Sequence, residues 1–324
     1  MLSEILRLPE LSIDLNWKSS YKFHSCYDDV MKMEPVMKGK VCMITGANSG
    51  IGKRAALQFA EIGATVIMVC RSRERGEAAL TEIKEKSGSE SVELMLCDLS
   101  LQKSIRTLVK DFKENYDHLH VLINNAANFD YTLKNPVLTE EGMEIIFATN
   151  HLGPFLLTNL LLDVLKKSAP SRIVNIASKG LITYPRLTIE FDNLNGEKKF
   201  GYQHAYYHSK LAQIMFTYEL ARRLKGTGVT VNCIRVTNVK IDLERVSHAP
   251  RYLQYVYRMK RFFGITPEEM AKTYIYLGTA PELEDVTGKY FDEHGKEVKS
   301  SKRSYDEAVW KQLWDVSEEL TKMV

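Results

Sequence analysis

The chain lacks any apolar run approaching the ~18 residues that a membrane-spanning helix requires. Its longest candidates, "ATVIMVC" and "FLLTNLLLDVL", are short or broken by polar residues. The N-terminus, "MLSEILRLPELSIDLNWKSS", mixes acidic with apolar side chains and holds no continuous apolar core of signal-peptide length. Cysteine is sparse: Cys26, Cys42, Cys70, Cys97 and Cys233 make an odd number, four of them lie in apolar strand-like runs, and no CxxC occurs. That excludes a disulfide framework, offers no metal-ligand pattern, and fits buried thiols in a reducing compartment. The formal charge of +3 is spread along the chain with no long basic run, which gives no reason to expect nucleic acid. Repeats, low-complexity tracts and Pro/Gly/Ser linkers are also missing. The expectation is a cytoplasmic protein without a membrane span, with weak membrane contact left open.

What is present is a regular alternation. With 324 residues and 44% apolar composition, the chain can bury a substantial core as one large α/β domain or two ordinary ones. From Lys38 onward, β-branched apolar runs recur at "KVCMITG", "TVIMVCR", "VELMLCDL", "LHVLINNAA", "SRIVNIAS" and "VTVNCIRV". Helical stretches separate them: Ile51 to Gly63, Arg73 to Ser87, Gln102 to Asn115, Glu140 to Lys167 and Tyr206 to Lys225. Strand–helix alternation predicts a parallel sheet covered on both faces, and near-continuous apolar strands agree with burial on two sides. The fold class is therefore α/β, one doubly wound domain over 38–324 behind an N-terminal arm, 1–37.

Two segments carry candidate chemistry. "ITGANSGIGK" follows the first strand and opens the first helix, with Gly46, Gly50 and Gly52 spaced G-x3-G-x-G. Glycines there allow a tight turn and close approach of a pyrophosphate to a positive helix N-terminus. The second strand ends in "VCRSR": Cys70 stands where a carboxylate would hold a ribose 2′-hydroxyl, and Arg71 and Arg73 follow. Arginine suits a 2′-phosphate, although two surface charges at a strand end would read the same way. Further on, "AYYHSKLAQ" sets Tyr206 four residues before Lys210, on one helical face, whereas Tyr207 aligns with Leu211. An ammonium ~4 Å from a phenol at an effective dielectric of ~20 contributes roughly 4 kcal/mol, about three pKa units, enough to bring a tyrosine into use near neutral pH. On its own the same pattern also describes a buried tyrosine beside a solvated lysine.

Taken in order, "TGANSGIG", "CRSRERGEAA", "LCDLS", "LHVLINNAA", "TNHLGPFLLTNLLL", "SAPSRIVNIAS", "YYHSKLAQ", "ARRLKGTGV", "GKYFDEHGKEV" and "LWDVSEEL" resemble the short-chain dehydrogenase/reductase family, nearest its retinol-dehydrogenase-like branch. The resemblance covers nearly everything from Lys38 on and implies a Rossmann-type fold. The first 37 residues lie outside it and are expected to carry no membrane anchor of the kind common in retinoid-converting relatives.

The resemblance implies a tetrad of Asn150, Ser178, Tyr206 and Lys210. Tyr206 would exchange a proton with the substrate oxygen, and Lys210 would lower its pKa and hold the nicotinamide ribose. Ser178 would bond the carbonyl, and Asn150 would support a water chain. Cofactor contacts are expected from Gly46, Asn48, Ser49, Gly50, Ile51, Gly52, Arg71, Asp98, Leu99, Asn125, Ala126, Tyr206 and Lys210, with Asp98 near the adenine, and no metal is expected. Asn124 would steady the central sheet, and Tyr207 would pack or border the pocket. Segments 181–203 and 243–265 would enclose the substrate; the aromatic, basic "YLQYVYRMKRFF" within the second could equally be a helix-packing face. The family often pairs through the helices carrying Asn150 and Tyr206, so a homodimer is among the expectations.

Three places depart from the family pattern. Ala127 replaces a glycine in "NNAA", Val236 and Thr237 replace Pro-Gly, and Ile241 takes the place of a threonine near the nicotinamide. The expected activity is NADP(H)-dependent interconversion of a carbonyl and an alcohol on a small or medium apolar substrate. The alternative is a cofactor-binding sensor or scaffold with little turnover. A methyltransferase would leave Tyr206 and Lys210 without a role.

Overall fold

A computed structural model describes residues 36–240 and 264–323, with Gln254, Tyr255, Arg258, Met259 and Phe262 between them. Seven strands among the described residues form one sheet: β1 Val41–Thr45, β2 Thr65–Cys70, β3 Val92–Leu96, β4 Val121–Asn124, β5 Ser171–Ser178, β6 Val229–Val236 and β7 Tyr290–Phe291. All pairings are parallel, in the order β3-β2-β1-β4-β5-β6-β7. Every residue of β1 and β4 is buried, because helices cover both faces and neither face meets water.

Alternate strand residues serve opposite layers, as the period of two requires. Cys42, Ile44, Val66 and Met68 face a cluster with Ala55 and Phe59 of helix α1 (Gly50–Glu61), Ile83 of α2 (Arg73–Ser87) and Tyr274 of α7 (Pro267–Thr279). Met43, Ile67, Val69 and Leu122 face a second cluster with Ile105 of α3 (Gln102–Asn115), Phe155 of α4 (Gly153–Leu160) and Phe216 of α6 (Tyr202–Arg223). Successive connections run one way from β1 to β3 and the other way from β4 to β7. The switch between β1 and β4 opens a crevice at their C-terminal ends, where this class of sheet binds ligands.

Helix α6 is buried without a break from His208 to Ala221. A helix with only a sheet beneath it would bury a single stripe. The rest is covered by α8 (Glu307–Leu320), whose Trp314 sits 4.9 Å from the Phe155 ring, 5.9 Å from Phe216 and 4.0 Å from the Arg223 guanidinium. Helix α8 therefore occupies the outer side of α6.

The single helix expected over 140–167 is divided. The buried Glu144 carboxylate accepts from the N–H groups of Ile146 and Phe147, so the helix starts at Ile145. A π-helical turn follows at Ala148–Leu152, then α4, and after Leu161 a short α5 (Leu162–Lys167). The packed domain also reaches further back than 38: Met37 is buried, and its N–H donates to the Ile62 carbonyl at 3.1 Å. No helix among the described residues is long and apolar enough to cross a membrane. Residues 1–35, Ile241 and most of 243–265 lie outside the described residues.

Candidate active site

The loop after β1 needs its glycines for two separate reasons. Gly46 and Gly50 have φ of +68° and +56°, in the left-handed region that side chains disfavour. Gly52 is required by contact: a Cβ there would lie 2.5 Å from both the Gly46 carbonyl oxygen and Asn125 Nδ2. The loop delivers Asn48, Ser49 and Ile51 to the start of α1, where the Ser49 side chain makes no capping bond and the first turn holds no acidic residue. The positive end of α1 is thus left to an outside anion. Thr45 Oγ1 accepts from the N–H groups of Asn125 and Ala126, both at 3.0 Å, which locks the β1 loop to the β4 loop across the crevice. Asn125 Nδ2 donates to the Thr45 carbonyl at 2.8 Å, and Tyr274 donates to Asn125 Oδ1 at 3.1 Å. The Asn125 side chain is therefore committed to holding the loop. A pyrophosphate fits this cradle.

At the end of β2 the Cys70 thiol is buried, and burial pushes its pKa up to about 11 although the N–H groups of Ala47 and Asn48 bond to it. A neutral thiol there presents no charge to repel a phosphate. Arg71 is well exposed and lies 3.7 Å from Asp98 Oδ2, while Asp98 Oδ1 accepts from the N–H and hydroxyl of Ser100 at 2.9 and 2.7 Å. The neighbouring Leu99 carbonyl oxygen is 2.3 Å from where a Cβ on Gly153 would stand, so that glycine lets α4 start directly against the β3 loop.

Lys210 is fully buried, and its ammonium donates to the Ile176 carbonyl of β5 at 2.8 Å. That bond ties α6 to the strand that ends in Ser178. The Lys210 nitrogen is 5.7 Å from the Tyr206 ring centroid, a position from which its charge favours the phenolate. The bond to Ile176 draws the ammonium toward β5. Burial lowers the Lys210 pKa to about 8, so the side chain is still mainly cationic at neutral pH.

The Tyr206 ring meets Phe129 edge-on at 4.7 Å and Tyr207 at 5.3 Å. Tyr207 leans on Tyr184 at 4.6 Å and lies across Gly180, where a Cβ would come 2.3 Å from its hydroxyl oxygen. The Gly180 N–H donates to Ser178 Oγ at 3.2 Å, leaving the serine hydrogen to be offered to a substrate oxygen. Asn150 sits in the π-helical turn: its Oδ1 accepts from Asn128 N–H at 2.6 Å, and its Nδ2 donates to the Asn128 carbonyl and Ser209 Oγ, each at 3.0 Å. Ser209 in turn donates to the Tyr206 carbonyl at 2.7 Å.

A family model described as short chain dehydrogenase matches residues 40–249. The chain belongs to the short-chain dehydrogenase family. It is an oxidoreductase of a family that uses nicotinamide cofactors. Retinol dehydrogenase 14 of Homo sapiens is 41% identical over 297 residues, covering 87% of this chain and 86% of that protein. Retinol dehydrogenase 11 of Homo sapiens is 43% identical over 282 residues, covering 87% and 85%. Among solved structures, an uncharacterized protein from Mycobacterium paratuberculosis has a TM-score of 0.65 at 28% identity, covering 88% of this chain and 94% of that one. A short-chain dehydrogenase from Escherichia coli CFT073, solved with NADPH, has a TM-score of 0.62 at 23% identity, covering 81% and 99%, and shows likeness of fold alone.

Ala127 is exposed, and the one non-glycine residue with positive φ among the described residues is Lys322, so position 127 makes no demand for glycine. Val236 pairs in register with Ser178 and packs against the core cluster under α1 and α7. Asn124 Nδ2 donates to Asn175 Oδ1 at 2.8 Å and Thr158 Oγ1 at 3.0 Å, joining β4, β5 and α4. Sequence reasoning missed Thr45, Phe129, Gln213 and the Lys179–Glu293 ion pair, whose atoms are 2.6 Å apart at the end of β5. The missed residues belong to contacts between elements and carry no spacing signal, except that Pro154, four residues after Asn150, marks a disturbed helix.

Proposed function

We propose that the protein interconverts a carbonyl and an alcohol on a small or medium apolar substrate with NADP(H), Tyr206 acting as the acid or base. The observation that carries this is Lys210: a fully buried lysine lying over the Tyr206 ring and bonded to the strand that ends in Ser178. Burying a cation is costly, and groups held at such a cost cluster at functional sites. In reduction the Tyr206 phenol gives its proton to the substrate oxygen while Ser178 donates a hydrogen bond to the same oxygen, stabilising the charge that develops there. Lys210 favours the phenolate left behind, and Asn150 anchors the opened turn beside them. The cofactor, when bound, supplies or takes the hydride at the substrate carbon.

The choice of NADP over NAD rests on the neutral Cys70 and the exposed Arg71 at the end of β2. Phe129, Tyr184, Tyr206 and Tyr207 give the site mainly apolar walls, which suits an apolar substrate. The reading takes the cytoplasm as the setting. Following NADPH oxidation with a panel of apolar aldehydes and ketones, beside direct NADPH binding, tests it. Tight binding with turnover of at least one carbonyl is expected; tight binding with none would favour the sensor or scaffold.

A further inference from the structure

In an α-helix each carbonyl accepts from the N–H four residues on. For Asn150 that residue is Pro154, which has no N–H and whose ring crowds the same carbonyl. The helix responds by opening into the π-helical turn Ala148–Leu152, closed by the Gly153 N–H on the Ala148 carbonyl. The Asn150 carbonyl instead receives a hydrogen bond from Gln213 Nε2, a side chain on α6 one turn beyond Lys210. Gln213 is 1% exposed, and its Oε1 has no hydrogen-bond partner among the described residues. One half of this amide is thus buried unsatisfied while the other half holds the carbonyl that Pro154 releases.

We propose that Gln213 is a positioning residue: it fixes the opened turn carrying Asn150 against the helix carrying Tyr206 and Lys210. This rests on the oxidoreductase reading given above. The bond to the Asn150 main chain sets where its side chain lies, and that side chain spans from the Asn128 backbone to Ser209, which bonds the Tyr206 carbonyl. Without the Gln213 donor the turn can slide along α6, and the proton-handling groups lose register while the cofactor loop on β1 is untouched.

Two variants and a rescue test this. Gln213→Leu removes the donor, and Gln213→Met removes it while keeping an unbranched side chain of similar length. Each should lower kcat at least tenfold and leave KM and NADPH affinity within twofold of wild type. Pro154→Ala returns an N–H to the helix, so Pro154→Ala/Gln213→Leu should recover at least fivefold in kcat over Gln213→Leu, and the two substitutions should be non-additive in melting temperature. Gln213→Leu with kcat within twofold of wild type, or no relief from Pro154→Ala, would overturn the inference alone. Loss of NADPH binding along with kcat in Gln213→Met would mean a general structural role and would also overturn it. A wild type that binds NADPH but reduces no carbonyl overturns the oxidoreductase reading and this inference with it.

Discussion

Replacing Lys210 by methionine should abolish catalysis and yet make the protein more stable at neutral pH. Burial lowers the Lys210 pKa from 10.5 to about 8, a difference worth about 3 kcal/mol at ~1.4 kcal/mol per unit. Between those values the unfolded lysine holds a proton that the folded one has released, so stability rises with pH through this window. Below about pH 8 both states are protonated, and the whole penalty weighs on the folded protein. Methionine is similar in length and removes that penalty, but it also loses the charged bond to the Ile176 carbonyl, worth roughly 1.5–3 kcal/mol. The net expectation is that Lys210→Met is more stable by about 1 kcal/mol at pH 7. At pH 9.5, where more than half the penalty is gone, the gap should close or reverse. Urea unfolding of both proteins at the two pH values measures this. A variant less stable than wild type at pH 7, or a gap that does not change with pH, would refute the reasoning.

Arg71→Ala should weaken NADPH binding ten- to a hundredfold and leave NADH nearly unchanged, since a charge-assisted phosphate contact is worth roughly 1.5–3 kcal/mol; equal weakening in calorimetric titrations with the two cofactors would remove Arg71 from the phosphate. Burial depresses the pKa of His151 to about 3 and of His208 to about 4, so the unfolded chain takes up protons first as pH drops below about 6.5. Stability should be lost from there downward at up to about 1.4 kcal/mol per pH unit for each histidine, and His151→Gln should remove one proton's worth of that slope in denaturation curves. Because α8 packs along α6, light scattering at micromolar concentration should give the mass of a single chain, 37.1 kDa; twice that mass would mean pairing through another surface or displacement of α8.

The parts of this molecule legible in its sequence are those whose pattern burial sets directly, on both faces of a strand or along one stripe of a helix. Strands β5 and β6 and helices α2 and α3 run over the residues that their apolar periodicity marks. The glycine loop was legible because its positions answer to backbone sterics alone. The stretch 140–167 was not, because its apolar content is continuous while its breaks come from a side-chain cap at Glu144 and a missing N–H at Pro154. Strand β7 has two residues, too few to show any period. The spacing of Tyr206 and Lys210 put them on one face, but it could not show the ammonium leaning toward Ile176. Gln213 escaped for the same reason: its role depends on a helix distant in sequence.

The central claim is that Tyr206 moves the proton, and a paired substitution tests it most directly. Tyr206→Phe and Tyr207→Phe each lose one hydroxyl and leave a ring in place, so the aromatic packing along Phe129, Tyr206, Tyr207 and Tyr184 is kept in both. NADPH oxidation is followed with the best carbonyl found for the wild type, and NADPH affinity is measured on the same preparations. Tyr206→Phe should lose nearly all turnover with cofactor binding close to wild type, while Tyr207→Phe keeps most of its activity. Comparable losses in the two variants, or turnover retained in Tyr206→Phe, would contradict the assignment.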